Sequence, residues 1–220
     1  MARRLVLSRK AVRFGLKPLL WLGLSAPFVW LVVQWGLAFS GGAHDLGFNP
    51  QETSNRFTGD WALRFLLLSL LVSPLARLAR QSGLMMVRRL IGLFAFFYVL
   101  VHITSYVWLD MLFNWPELWK DILKRLYITV GITAALLLVP LAVTSTTGWV
   151  RRLGGRRWQR LHRLIYLIAP LAVLHFIMMR KGFQLEPLIY AAITALLLGW
   201  RLARGPARRW LSRRQPVSAP

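Results

Sequence analysis

Six apolar runs punctuate the chain, at 19–39, 61–79, 90–109, 126–143, 161–179 and 187–203. Each is close to the roughly 20 residues that a helix needs to cross a hydrocarbon core. The segments between them are short and polar, about 15–21 residues at most, and leave no room for a soluble domain. The pattern predicts an all-α integral membrane protein, a single domain over 1–220 folded as a six-transmembrane-helix bundle. The first run follows a basic segment, Met1–Lys17, and Ala38-Phe39-Ser40 loosely resembles a small-residue cleavage site. A secretory signal has an apolar region of only about 7–15 residues, so the longer run from Leu19 reads as a retained first span.

Composition agrees. The 220 residues are 56% hydrophobic with a mean hydropathy of +0.49, against about 45–50% apolar in a soluble domain. A net charge of +22 would suit a nucleic-acid partner, but the basic residues sit between apolar spans and form no single soluble face, which excludes that class. The partner implied everywhere along the chain is membrane lipid. There is no cysteine, which rules out disulfides, thiolate-bound or covalently attached haem, cysteine-held iron–sulfur clusters and thiol catalysis.

Charge sets the orientation. Most of the 29 Lys and Arg fall before the first span, between the second and third, between the fourth and fifth, and after the sixth. The segments involved are Arg3 to Lys17, Arg77 to Arg89, Arg151 to Arg160 and Arg201 to Arg214. The opposite side holds Arg56, Lys120, Lys124, Arg125, Arg180 and Lys181 together with all seven acids. The positive-inside rule then places both termini in the cytoplasm of a bacterial inner membrane. Trp35, Trp61, Trp108, Trp115 and Trp119 cluster near the other face, as an interfacial belt would.

The histidines carry the candidate chemistry. His44 lies in a Gly-Gly-Ala-His-Asp loop and reads as a solvated loop residue. His102 falls in the third span, and His162 and His175 in the fifth. Ionisable groups within a bilayer point to function by default, although one such histidine can simply join helices through a hydrogen bond. Here the levels match. His102 lies 13 residues past Arg89 and His175 lies 14 past Leu161, so both sit about 20 Å into the membrane at 1.5 Å per residue. Two facing imidazoles suit the two axial positions of a haem iron held between the third and fifth helices.

His162 sits 13 residues before His175, about 20 Å nearer the cytoplasm. That level would take a second haem. The third span offers no histidine there but offers Arg88, about 40° off the His102 face, and Arg89, about 140° off. Arg88 is expected to meet a haem propionate or sit over the iron; its alternative is a topogenic anchor. The spacing of His162 and His175 does not put them on one ideal helical stripe, and Pro170 between them offers a kink that could realign them. Met85, Met86, Met178 and Met179 could ligate iron, but their paired span-end positions fit packing better.

At these residues the chain resembles the MsrQ family, within the ferric-reductase-like transmembrane superfamily. The likeness runs through Arg88-Arg89-Leu-Ile-Gly-Leu-Phe-Ala-Phe-Phe-Tyr-Val-Leu-Val-His102, through Thr144-Ser-Thr-Thr, and from Arg151 past His162 to His175, with Asn49-Pro50 and Thr58-Gly59 in the first outer connection. It covers roughly residues 15 to 203. The resemblance implies a haem b membrane subunit, with one or two haems on His102, His162 and His175 and with Arg88 matching a family arginine. It further implies electron transfer to a periplasmic molybdopterin reductase, MsrP, which repairs oxidised methionine. The implied donor is the quinone pool or a cytosolic flavin reductase, and an FMN is implied as well. No glycine fingerprint marks an FMN site, and Gly154-Gly155 is only a basic loop.

Two other readings stand beside this one. A stand-alone metal reductase or quinol-oxidising cytochrome b would use the same haems on a small acceptor. A transporter or proton relay would use the three histidines directly, but no acid lies mid-span to pair with them. In no reading does the chain act on methionine sulfoxide by itself.

Overall fold

The computed structural model describes residues 8–180 and 184–213. Among the described residues, six helical spans are long and apolar enough to cross a membrane, as the hydropathy pattern predicts, and the chain is a multi-pass membrane protein. After Arg9–Ala11 and a π-helical stretch Val12–Leu16, the main helices are α1 (Lys17–Phe39), α2 (Pro50–Leu78), α3 (Met85–Ser105), α4 (Trp115–Lys124), α5 (Leu126–Val143), α6 (Thr147–Leu161), α7 (Ile165–Met179) and α8 (Leu185–Arg213). Of the charges that set the orientation, Arg3, Arg4, Lys181 and Arg214 lie outside the described residues.

α2 begins eleven residues before its apolar run. The Asn49 side chain accepts from the Glu52 amide at 3.2 Å, and Pro50 occupies the first turn, where its missing N–H costs nothing. The polar stretch that follows stays helical because its hydroxyls turn back on the backbone. Ser54 Oγ donates to the Pro50 carbonyl at 2.7 Å, and Thr58 Oγ1 donates to the Ser54 carbonyl at 2.8 Å. Trp35 of α1 donates its indole N–H to Ser54 Oγ at 2.9 Å, fastening the two helices. A hydropathy profile sees only apolar length, and so misses this polar extension.

α2 packs chiefly against α3, and α5 against α7, with α3 meeting α5 between the two pairs. The core runs through Leu63, Leu66, Leu70, Ile91, Ala95, Tyr98, Ile168, Ala169 and Val173. Leu19, Leu22, Leu136 and Leu196 are more than 60% exposed, as the lipid-facing side of a bundle requires. Tyr98, fully buried, holds α1 to α3. Its hydroxyl accepts from the Phe28 amide at 2.9 Å and donates to the Leu24 carbonyl at 2.9 Å. These two backbone groups would otherwise pair within α1, so the phenol is inserted into the helical ladder one residue past Pro27.

The connection at 110–125 is not bare loop. A π-helical turn, Tyr106–Asp110, follows α3, and Leu112 and Phe113 take left-handed backbone angles before α4 starts. α4 shows lipid an exposed stripe of Trp115, Trp119 and Leu123. Its buried Asp121 accepts from the Tyr106 hydroxyl at 2.5 Å and pairs with Arg125 at 2.7 Å.

The winding of the fifth span changes at His162 and not at Pro170. α7 passes through Pro170 as α-helix, whereas His162–Leu164 form a 3-10 turn. Upstream, Gly154 (φ 71°, ψ 150°) breaks α6 in a backbone region open essentially only to glycine. A 3-10 turn rotates about 120° per residue against 100° in an α-helix, so this short turn shifts the phase between His162 and His175.

Candidate cofactor site

His102 on α3 and His175 on α7 come together, with ring centroids 6.2 Å apart and planes 73° apart. Each imidazole is held the same way. His102 Nδ1 lies 2.9 Å from the Asn55 carbonyl, and His175 Nδ1 lies 2.6 Å from the Tyr127 carbonyl. A carbonyl only accepts, so each Nδ1 carries the proton and each Nε2 keeps its lone pair. One helical turn beyond each carbonyl is a glycine. A Cβ on Gly59 would lie 3.1 Å from His102, and one on Gly131 would lie 2.7 Å from His175. Thus α2 grips His102, and α5 grips His175, by the same device of a carbonyl at one position and a glycine four residues later.

Among the described residues, no group of three or more His, Cys, Asp or Glu converges on a point. Two nitrogen donors are too few to hold a bare ion such as zinc. They are the complement of an iron whose equatorial positions are filled by a macrocycle. A metal–nitrogen bond of about 2.0 Å, plus about 1.1 Å from nitrogen to ring centre on each side, separates the two centroids by roughly 6 Å. The observed 6.2 Å fits that requirement. A second requirement, an acceptor for the far N–H of each ring, is met by the two carbonyls.

Beside this pair an ionic cluster ties α2, α7 and α8. Arg180 Nη2 is 3.8 Å from Asp60 Oδ1 and 3.4 Å from Glu186 Oε2. Arg64 Nε donates to the Tyr190 hydroxyl at 2.9 Å. Asp60 directly follows the glycine that contacts His102, and its Oδ1 is buried without a hydrogen bond.

His162 lies toward the arginine-rich end, in the 3-10 turn. Trp158 stacks on it at 3.9 Å. Thr144 Oγ1 donates its one proton to the Pro140 carbonyl at 2.6 Å, so at its 3.1 Å contact with His162 Nε2 it can only accept. The proton of His162 therefore sits on Nε2 and the lone pair on Nδ1, the reverse of the other two histidines. His162 lines a cavity of about 620 Å³ together with Arg88 of α3, and Arg88 is the charged group that acts on it electrostatically. His44 stays in its loop, where Nδ1 accepts from the Leu46 amide at 3.3 Å. Met86 and Met179 pack against the core.

The sequence offers the three histidines and Arg88 as candidates but does not show what holds them. Gly59 stood within a recognised motif without a role, and Gly131 carried no signal. The Asn55 and Tyr127 acceptors are backbone atoms, which any residue supplies. Thr144 belongs to the Thr144-Ser-Thr-Thr stretch noted in the sequence, and the structure puts it in contact with His162.

Comparison with known proteins shows the family. Residues 58–173 match the ferric reductase like transmembrane component family, a segment that begins just before Gly59 and ends just before His175. The chain is 53% identical over 183 residues to the protein-methionine-sulfoxide reductase heme-binding subunit MsrQ of Rhodospirillum rubrum, covering 83% of this chain and 85% of that one. It is 46% identical over 198 residues to the MsrQ of Caulobacter vibrioides, covering 90% of both. It is 51% identical over 189 residues to the MsrQ of Xanthomonas campestris pv. campestris, covering 86% of both. Identity of this order across nearly the full length of its relatives means that the chain belongs to the MsrQ family of ferric-reductase-like transmembrane proteins.

Proposed function

We propose that this chain is a haem b electron-transfer subunit of the bacterial inner membrane, serving a periplasmic methionine-sulfoxide reductase. The observation that carries the reading is the His102–His175 pair, two imidazoles with ring centroids 6.2 Å apart, each with its Nδ1 held by a backbone carbonyl, which would hold a haem between them. Bound there, haem supplies reversible one-electron transfer. The chain does the rest. The Asn55 and Tyr127 carbonyls hold the protons on Nδ1 and so leave both Nε2 lone pairs available to a metal. Gly59 and Gly131 let the helices close until the rings cannot swing away.

His162 and Arg88 form the second, inner position. The arginine-rich end faces the cytoplasm, which puts this position where electrons enter and the His102–His175 position where they leave. The donor is the quinone pool or a cytosolic flavin reductase, and the acceptor is a soluble molybdopterin reductase of the MsrP kind. In this arrangement the chain does not itself reduce methionine sulfoxide. With a ligand already bonded through Nε2 to Thr144, the inner site binds its haem more weakly than the outer one.

The test is a reduced-minus-oxidised spectrum with haem counted per chain, in the wild type and in His102→Ala, His175→Ala and His162→Ala. The reading expects either of the first two to abolish the outer signal and the third to remove a separate one. An unchanged spectrum in both His102→Ala and His175→Ala overturns it. Electron delivery measured with and without the periplasmic reductase then separates this role from that of a stand-alone metal reductase.

A further inference from the structure

The cavity at the arginine-rich end has a feature that one histidine and one arginine do not explain. Five arginines line it, Arg77 from α2, Arg88 and Arg89 from α3, Arg163 from the 3-10 turn and Arg201 from α8, and among the described residues no carboxylate does. The acids nearest in sequence belong to the opposite end of the bundle. Three of these guanidiniums, Arg77, Arg88 and Arg201, are close enough to interact, since Arg88 feels both Arg201 and Arg77. Arg88 and Arg201 are half-buried, and Arg77 lies exposed at the rim.

The positive-inside rule asks for arginines at this end of the helices but not that three of them, from three helices, face one cavity. Like charges at partly buried positions repel unless an anion lies between them. Arg201 Nη2 donates to the Leu70 carbonyl at 2.6 Å, and its guanidinium also meets the Tyr166 hydroxyl. The observation that points to a ligand is Ser73, whose Oγ also lines the cavity and is buried there with no hydrogen-bond partner. The volume of about 620 Å³ falls within the roughly 300–1,000 Å³ of small-molecule sites.

We propose that Arg77, Arg88 and Arg201, with Ser73, form an oxyanion-binding site that holds the carboxylates or the phosphate of a ligand seated in this cavity. Guanidinium forks suit both groups, because each presents paired oxygens to parallel N–H donors. Two sources share that chemistry. One is the propionate pair of the inner haem, in which case the site rests on the preceding reading. The other is a phosphate-bearing molecule entering from the cytoplasmic leaflet or the cytosol, which does not depend on it.

The experiment uses the full-length chain purified in detergent, with Arg77→Gln, Arg201→Gln, the double variant and the corresponding Lys variants. The outer-site spectrum serves as the fold control. Two quantities are read: haem per chain, and the shift of the unfolding midpoint in inorganic phosphate against chloride at equal ionic strength. If propionates are the ligand, the double Gln variant loses about half its haem while the outer spectrum persists, and the Lys variants recover part of it. If the ligand bears phosphate, haem content is unchanged and the phosphate-induced stabilisation of the wild type disappears in the Gln variants. If the double Gln variant keeps both its haem content and its phosphate response, the proposal is overturned. Should that variant not accumulate, Arg77→Gln at the exposed rim carries the same two readouts. The inner-haem reading fails separately. His162→Ala with unchanged haem content sinks that reading, while a phosphate response that depends on Arg77 and Arg201 leaves the oxyanion site standing.

Discussion

Gly131 stands so close to His175 that a Cβ on it would lie 2.7 Å from the imidazole Nδ1, the atom bonded to the Tyr127 carbonyl. No side chain fits there without moving the ring. Gly59 stands in the same relation to His102 at 3.1 Å. Gly131→Ala is therefore expected to lose most of the outer haem, and Gly59→Ala to lose less, because the looser contact can relax by a few tenths of an ångström. Haem per chain and the reduced-minus-oxidised spectrum check both. Equal haem content in Gly131→Ala and wild type would show that the glycine does not position the ligand.

Tyr98 is inserted between the Phe28 amide and the Leu24 carbonyl. Tyr98→Phe removes both bonds and leaves α1 to close its own ladder across a gap. The expected cost is about 1–2 kcal/mol, the net worth of one or two hydrogen bonds, read as a lower unfolding midpoint in detergent. Tyr98 lies one turn before His102 on α3, so haem content should hold while stability falls. A variant as stable as wild type would mean that α1 re-forms its own bond at no cost.

Thr144 determines which nitrogen of His162 carries the proton. Thr144→Val keeps the shape and removes the acceptor, so His162 is freed from its Nε2 contact. The expected result is a changed spectrum or potential at the inner position with the outer signal untouched. Thr144→Ser, which keeps the hydroxyl, should resemble wild type. If Val and Ser behave alike, the hydroxyl has no part in holding the ring.

The absence of cysteine makes topology easy to test. A single cysteine at Arg156, in the α6 segment, should resist an impermeant thiol reagent in intact cells. One at Lys120, on the polar side of α4, should react once the reagent reaches the periplasm. The reverse pattern would invert the bundle and exchange the entry and exit ends for electrons.

The sequence by itself determined the number of spans, because lipid demands apolar side chains on each crossing helix and that demand is local. It determined α5 to the residue, Leu126–Val143, where a short apolar run is bounded on both sides. It also placed His102 and His175 at one level, because helical rise depends only on counting residues. Rotation about the helix axes and the partner of each face were decided by the tertiary structure. The acceptors of His102 and His175 lie 47 and 48 residues away in the chain. Leu24, which receives the Tyr98 hydroxyl, is 74 residues away, and Arg201 reaches Leu70 across 131. Pro170 was the sequence's visible candidate for realigning His162. The change of winding falls instead in the 3-10 turn at His162–Leu164, where no proline marks it. Hydropathy reports how each residue meets the solvent around the bundle. Which carbonyl meets which imidazole, and which arginines share one cavity, depends on how helices distant in sequence pack together.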